Sequence, residues 1–137
     1  MLRKNAKIEL LKRVPLFSGC SKSELAEIAL IADEIDLPAG KVLIREGTPG
    51  RQFFVIVDGS VGVTRKGRKV VIRGGAELFG EMALLSDAPT NATVTATSDV
   101  RALVIADRSF HSLIRDSPGI QLKVLGALAA RLAPDSL

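Results

Sequence analysis

Phe53-Phe54-Val55-Ile56-Val57-Asp58-Gly59-Ser60-Val61-Gly62-Val63-Thr64-Arg65-Lys66-Gly67 carries two strands and two tight turns in one short span. Aromatic and β-branched residues fill 53–57, and such side chains suit a pleated, half-buried surface. Asp58-Gly59 follows at once. Asp-Gly between apolar runs signals a hairpin, because the favoured two-residue turn needs positive φ. Val61 and Val63 then alternate with Gly62 and Thr64, the period of a strand with one buried face. Lys66-Gly67 turns the chain into Val70-Val71-Ile72, and Gly74-Gly75 break that strand.

Reading outward, the same punctuation continues in both directions. Upstream, Ile35-Asp36-Leu37 alternates, Pro38-Ala39-Gly40 turns, Val42-Leu43-Ile44 is a strand, and Glu46-Gly47-Thr48-Pro49-Gly50 turns again. Downstream, 92–97 and 100–105 are strands around Ser98-Asp99. Many short strands at this spacing predict an antiparallel jelly-roll-type β-roll of about eight strands between Ile35 and Ile105.

Helices flank the roll in sequence. Residues 4–13 carry Ile8, Leu10 and Leu11 among charges, and Val14-Pro15 ends that helix. Leu16 and Phe17 make an apolar elbow. Ser21-Lys22-Ser23-Glu24 is a capping box that opens a helix to about Ala32, with Leu25, Ile28, Ala29 and Ala32 on one face. Asp107 caps a helix holding Phe110, Leu113 and Ile114. Ser117-Pro118 starts another, with serine at the cap and proline in the first turn, and Pro134 stops it after Ala133. The expected fold class is mainly β with flanking helices. The expected organisation is one domain over 1–137, with an N-terminal helical part (1–33), the roll (34–106) and two C-terminal helices (107–133).

Composition narrows the function classes. The chain has 137 residues, 47% of them hydrophobic, enough for one packed core and too much for a disordered chain. It has no Trp or Tyr, so a platform for stacking single-stranded bases is not expected. The net charge is +4, and the basic residues gather near the N-terminus (Arg3, Lys4, Lys7, Lys12, Arg13) and at one turn (Arg65, Lys66, Arg68, Lys69). Neither cluster lies on a DNA-reading motif, so both are expected to be solvated surface, with no sequence-specific DNA binding by this chain. The single cysteine, Cys20, excludes an internal disulfide and fits a reducing cytoplasm. No signal peptide and no run of membrane-spanning length is present. One histidine, His111, and one cysteine far from it support neither a metal cluster nor a Cys–His dyad, and no catalytic residue is assigned. Phe53 and Phe54 are expected in the core.

The chemistry is expected in residues 79–94: Phe79-Gly80-Glu81-Met82-Ala83-Leu84-Leu85-Ser86-Asp87-Ala88-Pro89-Thr90-Asn91-Ala92-Thr93-Val94. They read as a short helix inserted between strands. Gly80 permits close backbone approach. The N–H groups that follow sit at a helix start, where free donors and the helix dipole attract an anion. Glu81 adds a carboxylate acceptor beside those donors. An anionic group with neighbouring hydroxyls, such as a sugar phosphate, meets both features. Glu81 as a plain helix N-terminal carboxylate is the alternative.

This stretch resembles the phosphate-binding cassette of cyclic-nucleotide-binding domains, found in catabolite activator protein, the regulatory subunits of cAMP-dependent protein kinase and cyclic-nucleotide-gated channels. Leu11–Phe17 is similar to the family's N-terminal helix and elbow, and Gly47–Gly59 to its central hairpin. The resemblance implies a β-roll sensor without catalytic activity. Glu81 would accept from the ribose 2′-hydroxyl. The backbone at Gly80, Met82 and Ala83 would hold the cyclic phosphate, with Phe79 and Ala92 bounding the cassette. In the family an arginine two residues before the position of Ala92 pairs with the phosphate, and a serine or threonine follows it. Thr90 and Asn91 occupy those slots here. Each can donate a hydrogen bond and neither carries charge. Arg51, Arg73 and Arg101 are other arginines that could reach the phosphate from neighbouring strands.

The implied function is a regulatory module that senses a cyclic nucleotide, cAMP ahead of cGMP, with weakened affinity. No other cofactor is expected. Output would pass through the C-terminal helices to a protein partner or to an effector domain of a parent chain. The last helix carries Ile120, Val124, Leu125, Leu128 and Leu132 among small residues, an apolar width that suits a homodimer contact as well as a core-facing stripe. The rival is a ligand-free structural or interaction domain that keeps the fold.

Overall fold

Lys66-Gly67 closes a hairpin, since Ser60–Arg65 pairs with Arg68–Arg73. Asp58-Gly59 turns the chain but closes none, and Gly47–Gly59 is not a hairpin either. Gln52–Asp58 lies in a different sheet from Val42–Ile44 and Ser60–Arg65, so these turns carry the chain from one sheet to the other. Gly59 and Gly67 have φ of 96° and 82°, and Lys66 is left-handed at 51°. The computed structural model describes residues 2–73, 77–79 and 89–132. Two compact units divide the chain, Ala32–Asp107 in one and Met1–Ile31 with Arg108–Leu137 in the other.

Among the described residues the first unit holds eight strands: β1 (Ala32–Leu37), β2 (Val42–Ile44), β3 (Gln52–Asp58), β4 (Ser60–Arg65), β5 (Arg68–Arg73), β6 (Glu77–Phe79), β7 (Thr93–Ala96) and β8 (Val100–Ala106). They form two four-stranded sheets, ordered β1-β8-β3-β6 and β2-β7-β4-β5, and the paired strands run antiparallel. The expected jelly-roll-type roll is therefore the observed one. Its interior is packed by Ile44, Phe54, Ile56, Val61, Val94, Ala96, Val100 and Ala102. Phe53 is buried too, so both phenylalanines of β3 belong to a core. β5 lies at a sheet edge with Val70 and Val71 exposed, and the basic residues of the Arg65–Lys69 turn blunt that edge.

Two boundaries differ from the sequence expectation. The roll begins at Ala32, not Ile35, because Ala32, Asp33 and Glu34 pair with Ile105, Val104 and Leu103 of β8. Ala32 therefore belongs to a strand, and the preceding helix stops at Leu30. β6 was not expected as a strand at all. Three residues are too few to show a period, and its pairing comes from β3.

In the second unit, α1 spans Lys4–Lys12, a 3₁₀ turn Pro15–Phe17, and α2 Lys22–Leu30. The capping box is complete: the Glu24 backbone N–H donates to Ser21 Oγ at 3.2 Å, and the Ser21 N–H donates to Glu24 Oε1 at 2.8 Å. Such a cap contributes about 1 kcal/mol. α3 (Asp107–Asp116) begins directly after β8, and α4 (Pro118–Leu132) packs on the 3₁₀ turn. Leu16, Phe17, Phe110 and Ile120 are buried, and the Phe17 and Phe110 rings meet at 6.4 Å. Lys123 of α4 forms an ion pair with Glu24 of α2. That ammonium, with the Ser21 N–H, holds the Glu24 carboxyl below its ordinary range. No described helix is long and apolar enough to cross a membrane.

Candidate functional site

The turn between β2 and β3 supplies one wall of a cleft. Gly47 takes φ of 85°, which lets the chain reverse there. Its N–H donates to the Thr90 carbonyl at 2.8 Å, and the Thr90 N–H donates to the Thr48 carbonyl at 2.9 Å. The Thr90 side chain closes the arrangement. Its Oγ1 donates to the Arg45 carbonyl at 2.6 Å and lies 3.1 Å from the Thr48 carbonyl. A hydroxyl has one proton, so donation to Arg45 leaves none for a ligand. Thr90 is 8% exposed and fixes the turn against the segment entering β7.

A cleft of about 240 Å³ opens at this junction, lined by Arg45, Thr48, Arg51, Gln52, Phe54 and Thr90 among others. Among the described residues, two arginines and no carboxylate line it. One flank of the cassette stretch meets it, and the other pairs with a strand that lines it. At one flank Phe79 pairs with Phe54 in the β3–β6 register, and at the other Thr90 lines the cleft. Of the other expected site residues, Asn91 is exposed and Ala92 half-buried. Gly80, Glu81, Met82 and Ala83 lie outside the described residues.

A larger hollow of about 510 Å³ lies in the same unit, lined by Asp36, Asp58, Asp99 and Arg101 with their neighbours. Its character is opposite. Arg101 Nε lies 3.2 Å from Asp36 and 3.4 Å from Glu34, and these carboxylates push its pKa above the ordinary guanidinium value. Arg101 is thus already neutralised, and a phosphate there would face three aspartates. Of the three arginines expected as alternatives, Arg51 lies on the cleft and Arg101 at the hollow, and the Arg73 side chain lies outside the described residues. Arg45 was missed. Its signal was the turn signature at 46–50, which brings the residue before the turn back beside position 90.

The Cys20 thiol is buried, and burial pushes its pKa up, reinforced by Glu24 and opposed by Lys123. Such a thiol is not an activated nucleophile. Among the described residues no group of three His, Cys, Asp or Glu side chains could hold a metal ion.

Among the described residues, an eight-stranded antiparallel roll with a cleft lined by two arginines and Thr90 defines the class of fold. Comparison gives the family: residues 34–117 match the model of the cyclic nucleotide-binding domain, and the chain belongs to that family. It is 31% identical over 129 residues to the CRP-like cAMP-activated global transcriptional regulator of Mycobacterium tuberculosis, covering 90% of this chain and 58% of that protein. The chain thus spans less than two thirds of that relative. Among solved structures, it is similar to the N-terminal domain of a transcriptional regulator from Streptomyces coelicolor, with TM-score 0.81, 31% identity, and 93% and 94% of the two chains covered. It is also similar to the regulatory domain of Toxoplasma gondii PKA solved with cAMP, with TM-score 0.73, 28% identity, and 83% and 45% covered.

Proposed function

We propose that this chain is a non-enzymatic regulatory module that binds a cyclic nucleotide, cAMP ahead of cGMP, between the Arg45–Arg51 turn and the cassette of residues 79–93. The observation that carries the reading is the cleft lined by Arg45, Arg51 and Thr90, with Phe79 paired to its wall residue Phe54. In this reading Glu81 accepts from the ribose hydroxyl, and the backbone at Gly80, Met82 and Ala83 holds the phosphate. Phe79, Thr90, Asn91 and Ala92 bound the pocket. The preference for cAMP rests on relatives named for it.

Signal output passes through α3 and α4. The Arg51 carbonyl accepts from the N–H of Asp107, the first residue of α3, at 2.9 Å. Movement of the cleft turn on ligand binding therefore reaches the start of that helix. Leu122 and Leu125 of α4 are 70% and 57% exposed, which suits contact with a partner protein, a second copy or an effector domain. The functional test is thermal unfolding with and without cAMP or cGMP. A ligand at 100 times its dissociation constant stabilises by about 2.7 kcal/mol. No stabilisation by either nucleotide at millimolar concentration would instead favour the ligand-free interaction domain.

A further inference from the structure

We infer that Arg45 and Arg51 together supply the positive charge for the cyclic phosphate that the Thr90 slot lacks. The inference rests on the proposed binding of a cyclic nucleotide. A cyclic phosphate stays anionic at neutral pH, and leaving it in a cleft without a counter-charge is costly. Position 90 holds a buried threonine whose proton is spent on the Arg45 carbonyl. Charge must then come from elsewhere on the cleft.

Both arginines are held there by their backbones. The Arg45 carbonyl accepts from the hydroxyls of Thr90 and Thr48, each at 2.6 Å, so its Cα is tied to the slot itself. The Arg51 carbonyl is tied to Asp107. Both residues line the cleft and are exposed, and neither forms an ion pair with a described residue. Arg101, by contrast, is neutralised by Glu34 and Asp36 at the acidic hollow. The two guanidiniums on one turn thus do the work of one on the cassette, and each can fork onto phosphate oxygens.

The test is calorimetric titration of cAMP into wild type, Arg45→Gln, Arg51→Gln and the double variant, with adenosine as an uncharged probe. The double variant is expected to lose about tenfold or more in cAMP affinity, or ~1.4 kcal/mol. Each single variant should lose less, and adenosine binding should not change. Adding Thr90→Arg to the double variant should recover cAMP affinity, while in wild type the same change should gain little. As a second readout on unaltered protein, cAMP affinity should fall with added salt more steeply than adenosine affinity. Equal cAMP affinity in wild type and the double variant would overturn the arginine assignment and leave cyclic-nucleotide binding standing. No binding of cAMP or cGMP by wild type would overturn both.

Discussion

Thr90→Val isolates what the buried hydroxyl does. The substitution keeps the shape of the side chain and removes one donor that reaches the Arg45 carbonyl at 2.6 Å and approaches the Thr48 carbonyl at 3.1 Å. Neither carbonyl is orphaned. Arg45 keeps the Thr48 hydroxyl at 2.6 Å and the Thr48 N–H at 3.2 Å, and Thr48 keeps the Thr90 N–H at 2.9 Å. The loss is therefore that of one net hydrogen bond, about 1 kcal/mol, without the further penalty of a stranded acceptor. Thr48→Ala should cost a similar amount alone. Together the two changes leave the Arg45 carbonyl with a single weaker donor, so the double variant should lose about 0.5 kcal/mol more than the sum. Urea unfolding with a common m value measures all four proteins. A Thr90→Val loss below about 0.3 kcal/mol, or strict additivity with Thr48→Ala, would refute the shared-carbonyl account.

Three further outcomes are expected. Gly59→Ala should destabilise by about 2 kcal/mol or more in urea unfolding, because φ is 96° and a Cβ would stand 2.4 Å from the Asp99 carbonyl oxygen; Gly40→Ala, with open space around it, should cost less. Glu24 titrates below its ordinary value of 4.5, so its contribution is present at neutral pH and is lost as pH falls through the lower folded-state value. The stability gap between wild type and Glu24→Gln should thus be open at pH 7 and close in acid, and a gap that widened in acid would contradict the Lys123 pairing. Arg101→Gln should change stability by about 1 kcal/mol or less, since the guanidinium and Asp36 are 43% and 77% exposed although Glu34 is only 13% exposed, and should leave cyclic-nucleotide affinity unaltered by calorimetry.

The parts of the fold legible in sequence are those that local chemistry decides. Asp58-Gly59 and Lys66-Gly67 each demand positive φ, and Ser21 with Glu24 makes a reciprocal cap, so these features are written in neighbouring residues. β6 and the early start of β1 are set by partners far along the chain and carry no local signature. The site divides the same way. The cassette stretch is recognisable as a string of residues, and Thr90 is visible as an uncharged residue in an arginine slot. That Thr90 turns its proton toward Arg45 depends on the return of the 46–50 turn, a contact between residues 45 apart in sequence. The turn at 46–50 that brings Arg45 to the cleft is legible in sequence, but its return to position 90 is not.

Whether the cleft binds a cyclic nucleotide is tested most directly by calorimetric titration of cAMP and cGMP into the wild-type chain at neutral pH. Saturable one-site binding, tighter for cAMP than for cGMP and weakened by Glu81→Ala, is the predicted result. Absence of heat for both nucleotides at millimolar concentration, with the protein shown folded by its unfolding transition, would contradict it.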